Sequence, residues 1–205
     1  MVGRRTRILI LAGAALTPLV GGLAGADESP RFMPTTGPAT APAGFLEFCR
    51  QHQADCAARI DRGLLVELDD ARLLDLTVVN RAVNTQIRPS TDLEIYGREE
   101  VWAMPTTVGD CEDYVLLKRR QLLKRGWPAS SLLVTVVRDE RGEGHAVLTV
   151  RTTRGDHILA NKVDVIRPWY ETVYAYVKRQ ATTNARWWVR IDDTRPDAAV
   201  ASIRR

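Results

Sequence analysis

Several function classes are short of their signatures in this chain. Only 3 histidines and 3 cysteines occur among 205 residues. No H-E-x-x-H spacing and no G-x-S-x-G elbow is present, so the common zinc-peptidase and serine-hydrolase arrangements lack their motifs. Aromatic residues make up 6% of the chain, and there is neither an internal repeat nor a long basic block. The excess of basic side chains, 29 against 25 acidic, is local: Arg4, Arg5 and Arg7 lie in a first stretch of 26 residues that holds no acid. Without them the balance is 26 to 25, a net charge of +1. Nucleic-acid binding therefore has neither an electrostatic stripe nor an aromatic platform behind it.

What is present starts with that basic segment. The arginines precede "ILILAGAALTPLVGGLAGA", which ends in the small residues Ala24-Gly25-Ala26. A charged start, an apolar middle and a small-x-small end predict a cleaved export signal over residues 1–26, and hence a periplasmic location. An uncleaved anchor is the competing reading, which Pro18 and five glycines disfavour. Residues 27–44, rich in Pro, Thr, Ala and Gly, are expected to form a flexible linker. The folded domain is expected over 45–193, with a tail at 194–205. With 45% hydrophobic and 26% charged residues, that domain can bury a core of its own.

Three cysteines in an exported chain leave one unpaired. Cys49 and Cys56 are seven residues apart, and on one continuous helix their Cα atoms would lie ~10.5 Å apart, beyond the ~7 Å reach of a disulfide. Pairing requires the helix to break near Gln53–Asp55; two buried free thiols are the alternative. On either reading Cys111 has no partner.

The periodicity predicts an α+β fold. Helices are expected over Phe45–His52, from Asp69-Asp70 to just before Pro89, and from an N-cap at Asp110 to Gly126, with a further helical stretch over Glu171–Arg179. Strands are expected at "SLLVTVVR", "HAVLTVR", "DHILAN" and "RWWVRID", the first three as an antiparallel meander. In the third helix Cys111 precedes Val115 by one turn and shares its apolar face. Trp102 is a candidate cleft wall, and Trp187-Trp188 is expected to be buried on one side only.

The motif "GDCEDY" sets a puzzle, because three carboxylates beside a thiol raise its pKa and oppose thiolate formation. From the residues alone, Asp110 and Asp113 cap the helix and all three acids complement its dipole. Of the histidines, His145 is the candidate base: it opens the strand "HAVLTVR" and can face a cysteine at a neighbouring helix end. A hairpin-capping surface histidine is the other reading.

Together "YGREEVWAMPTTVGDCEDYVLLKRRQLLKRGWP", "GHAVLTVRTTRGDHILANKVDVIRPW" and "FCRQHQADC" resemble the bacterial transglutaminase-like cysteine peptidases, whose members include periplasmic LapG proteases. The resemblance covers most of Phe45–Trp169. It implies a papain/transglutaminase-like fold with N-terminal helices packed on an antiparallel β-sheet. It also implies Cys111 as nucleophile, His145 as general base, and Ca2+ held by Asp110, Glu112 and Asp113. A protein substrate of the large surface-adhesin kind follows from the same likeness, and an inner-membrane regulatory receptor is a further partner it leaves open; nucleic acid is not among its partners.

The third member of the family's Cys-His-Asp triad sits in an "LDN" element, and the matching residues here are Leu159, Ala160 and Asn161. Alanine cannot hold an imidazole tautomer. Asn161 is the nearest substitute, although neighbouring strand residues point to opposite faces. Asp164 is a second, if the hairpin turns at Arg154-Gly155 and so pairs His145 with Asp164. Three functions stay open: a calcium-dependent cysteine peptidase, an attenuated relative that binds a protein segment without cutting it, and a transglutaminase-like acyl transferase. Export itself has a direct check: N-terminal sequencing of the periplasmic protein is expected to begin near Asp27, and an intact Met1 terminus would mean the anchor reading is right.

Overall fold

The computed structural model describes residues 30–57 and 63–195. Nine strands and four α-helices are laid out as β1 (Thr35–Ala39), α1 (Ala43–Gln51), α2 (Asp70–Gln86), β2 (Arg88–Pro89), α3 (Asp92–Tyr96), β3 (Val108–Gly109), α4 (Cys111–Lys124), β4 (Leu132–Arg138), β5 (Gly144–Thr152), β6 (Gly155–Leu159), β7 (Arg167–Pro168), β8 (Ala175–Gln180) and β9 (Trp188–Ile191). Seven strands form one sheet in the order β1-β9-β8-β4-β5-β6-β7, with every pair antiparallel. A separate parallel pair, β2 with β3, lies beside the start of α4. This is the expected α+β architecture, helices packed on an antiparallel sheet.

The sheet is covered on both faces, which is why β4 and β5 read as nearly continuous apolar runs. On the helical face, Val134, Ala146, Leu148, Val150 and Leu159 pack with Val115 and Leu122 of α4, Leu76, Val79 and Val83 of α2, and Phe45 and Phe48 of α1. The opposite face carries Val137, Val147, Ile158 and Ala160 beneath Met33, Trp169, Tyr174 and Tyr176. Alternation along each strand sorts the side chains between these two cores.

Helix boundaries follow local chemistry. Asp69 caps α2 by accepting a hydrogen bond from the Arg72 N–H, and Ile87 ends it ahead of Pro89. Thr91 and Glu94 close a reciprocal capping box on the single turn and a half of α3, and Gly97 ends it in the left-handed region. No helix among the described residues is long and apolar enough to cross a membrane.

Four expectations need correction. The linker foreseen at 27–44 is ordered fold from Pro30 onward: Met33 is buried, and β1 pairs with β9. The Met33 N–H donates to the buried Asp156 carboxylate, and the Trp169 indole N–H donates to the Pro30 carbonyl. A Pro/Thr/Ala-rich stretch suits an edge strand, where one side of the backbone needs no ladder partner. Glu171–Arg179 is not a helix but a 3₁₀ turn at Trp169–Glu171 followed by β8, because the slot between β4 and β9 demands a strand and Val, Tyr and Thr accept one. The foreseen tail is fold as far as Arg195, whose guanidinium lies over the Trp169 and Tyr176 rings and donates to the carbonyls of Trp169 and Thr172. Lastly, strand β1 precedes the first helix. The export segment 1–26 and the rest of the tail lie outside the described residues.

Cys49 and Cys56 form a disulfide with Cα atoms 5.5 Å apart. The necessary break is present: α1 stops at Gln51, and a 3₁₀ turn over Gln53–Cys56 folds the chain back. This elbow is tied to α4, since Arg120 pairs with the Asp55 carboxylate at 2.8 Å and Arg119 donates to the Asp55 carbonyl at 3.0 Å. Unreduced, denatured protein is expected to show one free thiol per chain by thiol titration. Replacing Cys49 and Cys56 by alanine is expected to lower unfolding stability in urea by about 2 kcal/mol, the loop-closure value for so short a loop.

Candidate active site

Helix α4 begins at the cysteine itself, with Asp110 at its N-cap. Gly109 makes this start possible, because a Cβ there would lie 2.8 Å from the Asp113 carboxylate and 3.1 Å from Pro105. Tyr114 fastens the helix to the end of α2 by donating its hydroxyl to the Ile87 carbonyl. The first turn is thereby driven against the body of the protein and its acidic residues are buried with it.

The buried acids form a group of three. Carboxylate oxygens of Asp92, Asp110 and Asp113 lie within 4.8 Å of one another. Asp92 binds the Val101 N–H and Asp113 the Ala103 N–H, so each has one oxygen committed. The remaining Asp92 Oδ1 and Asp113 Oδ2, together with Asp110 Oδ1, are buried without a hydrogen-bond partner. Three uncompensated carboxylate oxygens at close range fit a hard divalent cation, which takes oxygen ligands of this kind. The family likeness names Asp110, Glu112 and Asp113; the fold adds Asp92 to Asp110 and Asp113, while Glu112 contacts Asp110 and accepts from the thiol. Asp92 carried no signal beyond following the capping residue Thr91, since its role depends on where α3 docks.

The protonation balance reflects the crowding. Burial raises Asp113 to about 7, with the neighbouring Asp110 and Asp92 charges adding to it. Burial also pushes Asp110 up to about 6 and Glu112 up to about 9, the latter helped by its contact with Asp110. The Cys111 thiol donates to Glu112 Oε2 at 3.2 Å. Its pKa is held well above the usual thiol value by burial first, then by the charges of Glu112 and Asp110; the Ala146 backbone N–H is the contact that works the other way.

His145 enters from the far side. The register Val137↔His145 places it at the mouth of the β4–β5 hairpin, and it borders the same cleft of about 730 Å³ as Cys111, Trp102, Asp110, Glu112 and Lys178. Trp102 does wall this cleft; it packs edge-on against Phe45 at 5.5 Å and lies so close to Gly44 that any side chain there would collide with it. Of the later tryptophan pair, Trp188 is core and Trp187 is exposed. His145 is itself buried, and burial with the nearby Lys162 charge pushes its pKa down to about 4. The other histidines are elsewhere: His52 stacks on Phe48, and His157 interacts with Thr152 and Gly155.

The residues foreseen as a third partner for His145 lie apart from it. The β5–β6 hairpin turns at Thr153-Arg154, with Thr152 opposite Gly155 and Leu148 opposite Leu159. Continued past Leu159, this register sets Ala160 opposite Val147, Asn161 opposite Ala146 and Lys162 opposite His145. The foreseen pairing of His145 with Asp164 thus fails by two residues, and the Asp164 carboxylate is taken by Asn84 Nδ2 at 2.8 Å. Asn161 lies in the bend that follows β6, and its Oδ1 is buried without a hydrogen-bond partner. Ala160 shares the His145 face, so a carboxylate at this position would have had access to the ring. Correspondingly, His145 Nε2 is buried with no hydrogen-bond partner.

The carboxylate cluster has a measurable signature. A buried acid with a raised folded pKa binds its proton more tightly folded than unfolded, so its contribution to stability falls as pH climbs from its unfolded value toward the folded one. For Asp113 this window runs from its ordinary 3.8 to about 7. In chelator, Asp113→Asn is expected to gain stability relative to the parent across that window in pH-dependent urea unfolding; a parallel pair of curves would mean that Asp113 is not held in this state.

Comparison with known proteins agrees with the architecture. The family model for the bacterial transglutaminase-like cysteine proteinases matches residues 35–196. Among solved structures, calcium-bound Legionella pneumophila LapG is 23% identical, with a TM-score of 0.47 over 64% of this chain and 80% of that one. The EGTA-treated form of the same protein is 20% identical, with a TM-score of 0.45 over 64% of this chain and 78% of that one. No curated protein matches the chain. With the family model spanning the sheet, the cysteine helix and the His145 strand alike, the chain belongs to the bacterial transglutaminase-like cysteine proteinases.

Proposed function

We propose that the protein is an exported, calcium-dependent cysteine peptidase in which Cys111 attacks a protein substrate and His145 moves the proton. The observation that carries this is the meeting of Cys111 and His145, from a helix start and a distant strand, in one cleft deep enough to take a peptide segment. Without the cation the thiol pKa is raised and the imidazole pKa lowered, so the pair is neutral in that state and the imidazole acts as general base during attack.

In the first step Cys111 Sγ forms a bond to the scissile carbonyl carbon while its proton passes to His145. The N–H groups in the first turn of α4 have no intrahelical acceptor and serve the developing oxyanion. Collapse breaks the C–N bond, the imidazolium protonates the leaving amine, and a thioester remains. Water, losing its proton to His145, then attacks the thioester carbon and frees the acid product and the thiol.

Asp92, Asp110 and Asp113 would hold Ca2+, and their three orphaned oxygens support that assignment; Glu112, named by the family likeness, stands next to the group and against the thiol. Bound there, the cation cancels the charge that opposes the thiolate. The EGTA-treated and calcium-bound states of the Legionella protein are a second reason to test this ion. Periplasmic export, a surface-adhesin substrate and an inner-membrane regulatory receptor belong to the same proposal.

Ala160 and the unpartnered His145 Nε2 favour a second reading, in which the cleft binds a protein segment without cutting it. Alkylation of Cys111 across pH separates the two. Peptidase function predicts that calcium accelerates alkylation and that His145→Ala slows it, with hydrolysis of an exposed loop in a candidate substrate following the same order. A Cys111 that reacts as an ordinary thiol and ignores both changes, in protein that still binds the substrate segment, makes the chain a binding module.

A further inference from the structure

Without a carboxylate at position 160, something else must hold the His145 ring if it is to act as a base. The face of the sheet that His145 shares with Val147 and Ala160 is capped by the segment running from Trp169 into β8. From it the Tyr174 ring comes to 5.5 Å of the imidazole, centroid to centroid, with the two planes 34° apart. Both side chains are almost wholly buried, at 4% and 8% exposure.

Other candidates are engaged. Asp139 lies on the same face, diagonal to His145, but its carboxylate accepts from Lys162 Nζ at 2.6 Å and from the Arg141 and Glu143 N–H groups. Asp164 is bound by Asn84, and Asn161 stands outside the strand ladder, in the bend after β6. We infer that Tyr174 is the positioning residue of this site, holding the His145 ring by stacking where the family's triad would use an oriented carboxylate. This rests on the Cys111–His145 reading above.

Stacking differs from a carboxylate in what it supplies. A carboxylate fixes the tautomer and stabilises the imidazolium; an aromatic face restrains the ring plane and leaves the charge uncompensated. The groups around His145 fit that contrast: Lys162 and Lys118 disfavour its protonation, Asp139 and Glu140 favour it, and burial prevails. Tyr174 is itself raised to about 12, by burial first and then by Glu140, Asp139 and Cys111, so at neutral pH it is an uncharged phenol. A neutral ring beside the imidazole is placed to hold it without taking part in proton transfer.

The test compares Tyr174→Phe, Tyr174→Leu and Ala160→Asp in the full chain. The readouts are His145 imidazole titration by NMR, Cys111 alkylation, and kcat with KM on a cleavable peptide. Stacking predicts that Tyr174→Phe behaves like the parent, while Tyr174→Leu lowers alkylation and kcat roughly two- to tenfold with KM unchanged. Adding Ala160→Asp to Tyr174→Leu is expected to restore the rate and move the His145 titration upward. If Tyr174→Leu folds, as judged by circular dichroism, and leaves the imidazole shifts and kcat as they were, Tyr174 only fills space and the inference fails. If Tyr174→Phe loses as much as Tyr174→Leu, the hydroxyl rather than the ring is the working group, which also overturns it. Because the imidazole shifts are read without substrate, a protein that cleaves nothing would overturn the peptidase reading while still reporting on the Tyr174–His145 contact.

Discussion

The site is governed by a single electrostatic constraint: the first turn of α4 carries a thiol and three acids, and it is buried. Every acid driven into that position must find a donor, a proton or a cation. Asp113 takes the Ala103 N–H, Asp92 takes the Val101 N–H, and Glu112 accepts a hydrogen bond from the thiol. The oxygens left over lie within 4.8 Å of one another. The chemistry of Cys111 then depends on what lies among them, because a thiolate adds a further negative charge to the same small volume.

The surrounding fold fixes the geometry of that crowding. Gly109 lets the backbone pass under Asp113, Tyr114 ties the helix to the end of α2, and the capping box of Thr91 and Glu94 sets α3 so that Asp92 faces inward. Arg119 and Arg120 tie the disulfide elbow to α4, and Trp102 packs against Gly44 at the start of α1 as a wall of the cleft. On the sheet side the constraint is weaker. His145 is placed by strand register alone, with its buried Nε2 unserved, and its ring is steadied by an aromatic neighbour rather than by a charge.

The contrast between the two halves bears on how such a site tolerates change. Removing one acid from the helix start alters the charge felt by all the others, since they share one volume. Ala160, just past β6, by contrast belongs to the apolar core beneath Trp169 and Tyr174, away from that shared charge.

Much was legible from sequence because it rests on local rules. The α4 start, the Cys111 position, the β4–β5–β6 meander and the broken helix between Cys49 and Cys56 follow from capping, period-two alternation and disulfide reach. Tertiary structure decided what depends on distant pieces meeting. Thr35–Ala39 became an edge strand because β9 offered a ladder, and most of the stretch foreseen as a helix over Glu171–Arg179 became β8 because a sheet slot outweighs weak helical periodicity. Asp92 joined the acid cluster across eighteen residues of chain, and a hairpin turn at Thr153-Arg154 carried Asp164 away from His145. No local preference encodes these, because register and docking are set by which whole faces can be buried together, and a two-residue shift redirects a functional group without changing the pattern that formed the strand.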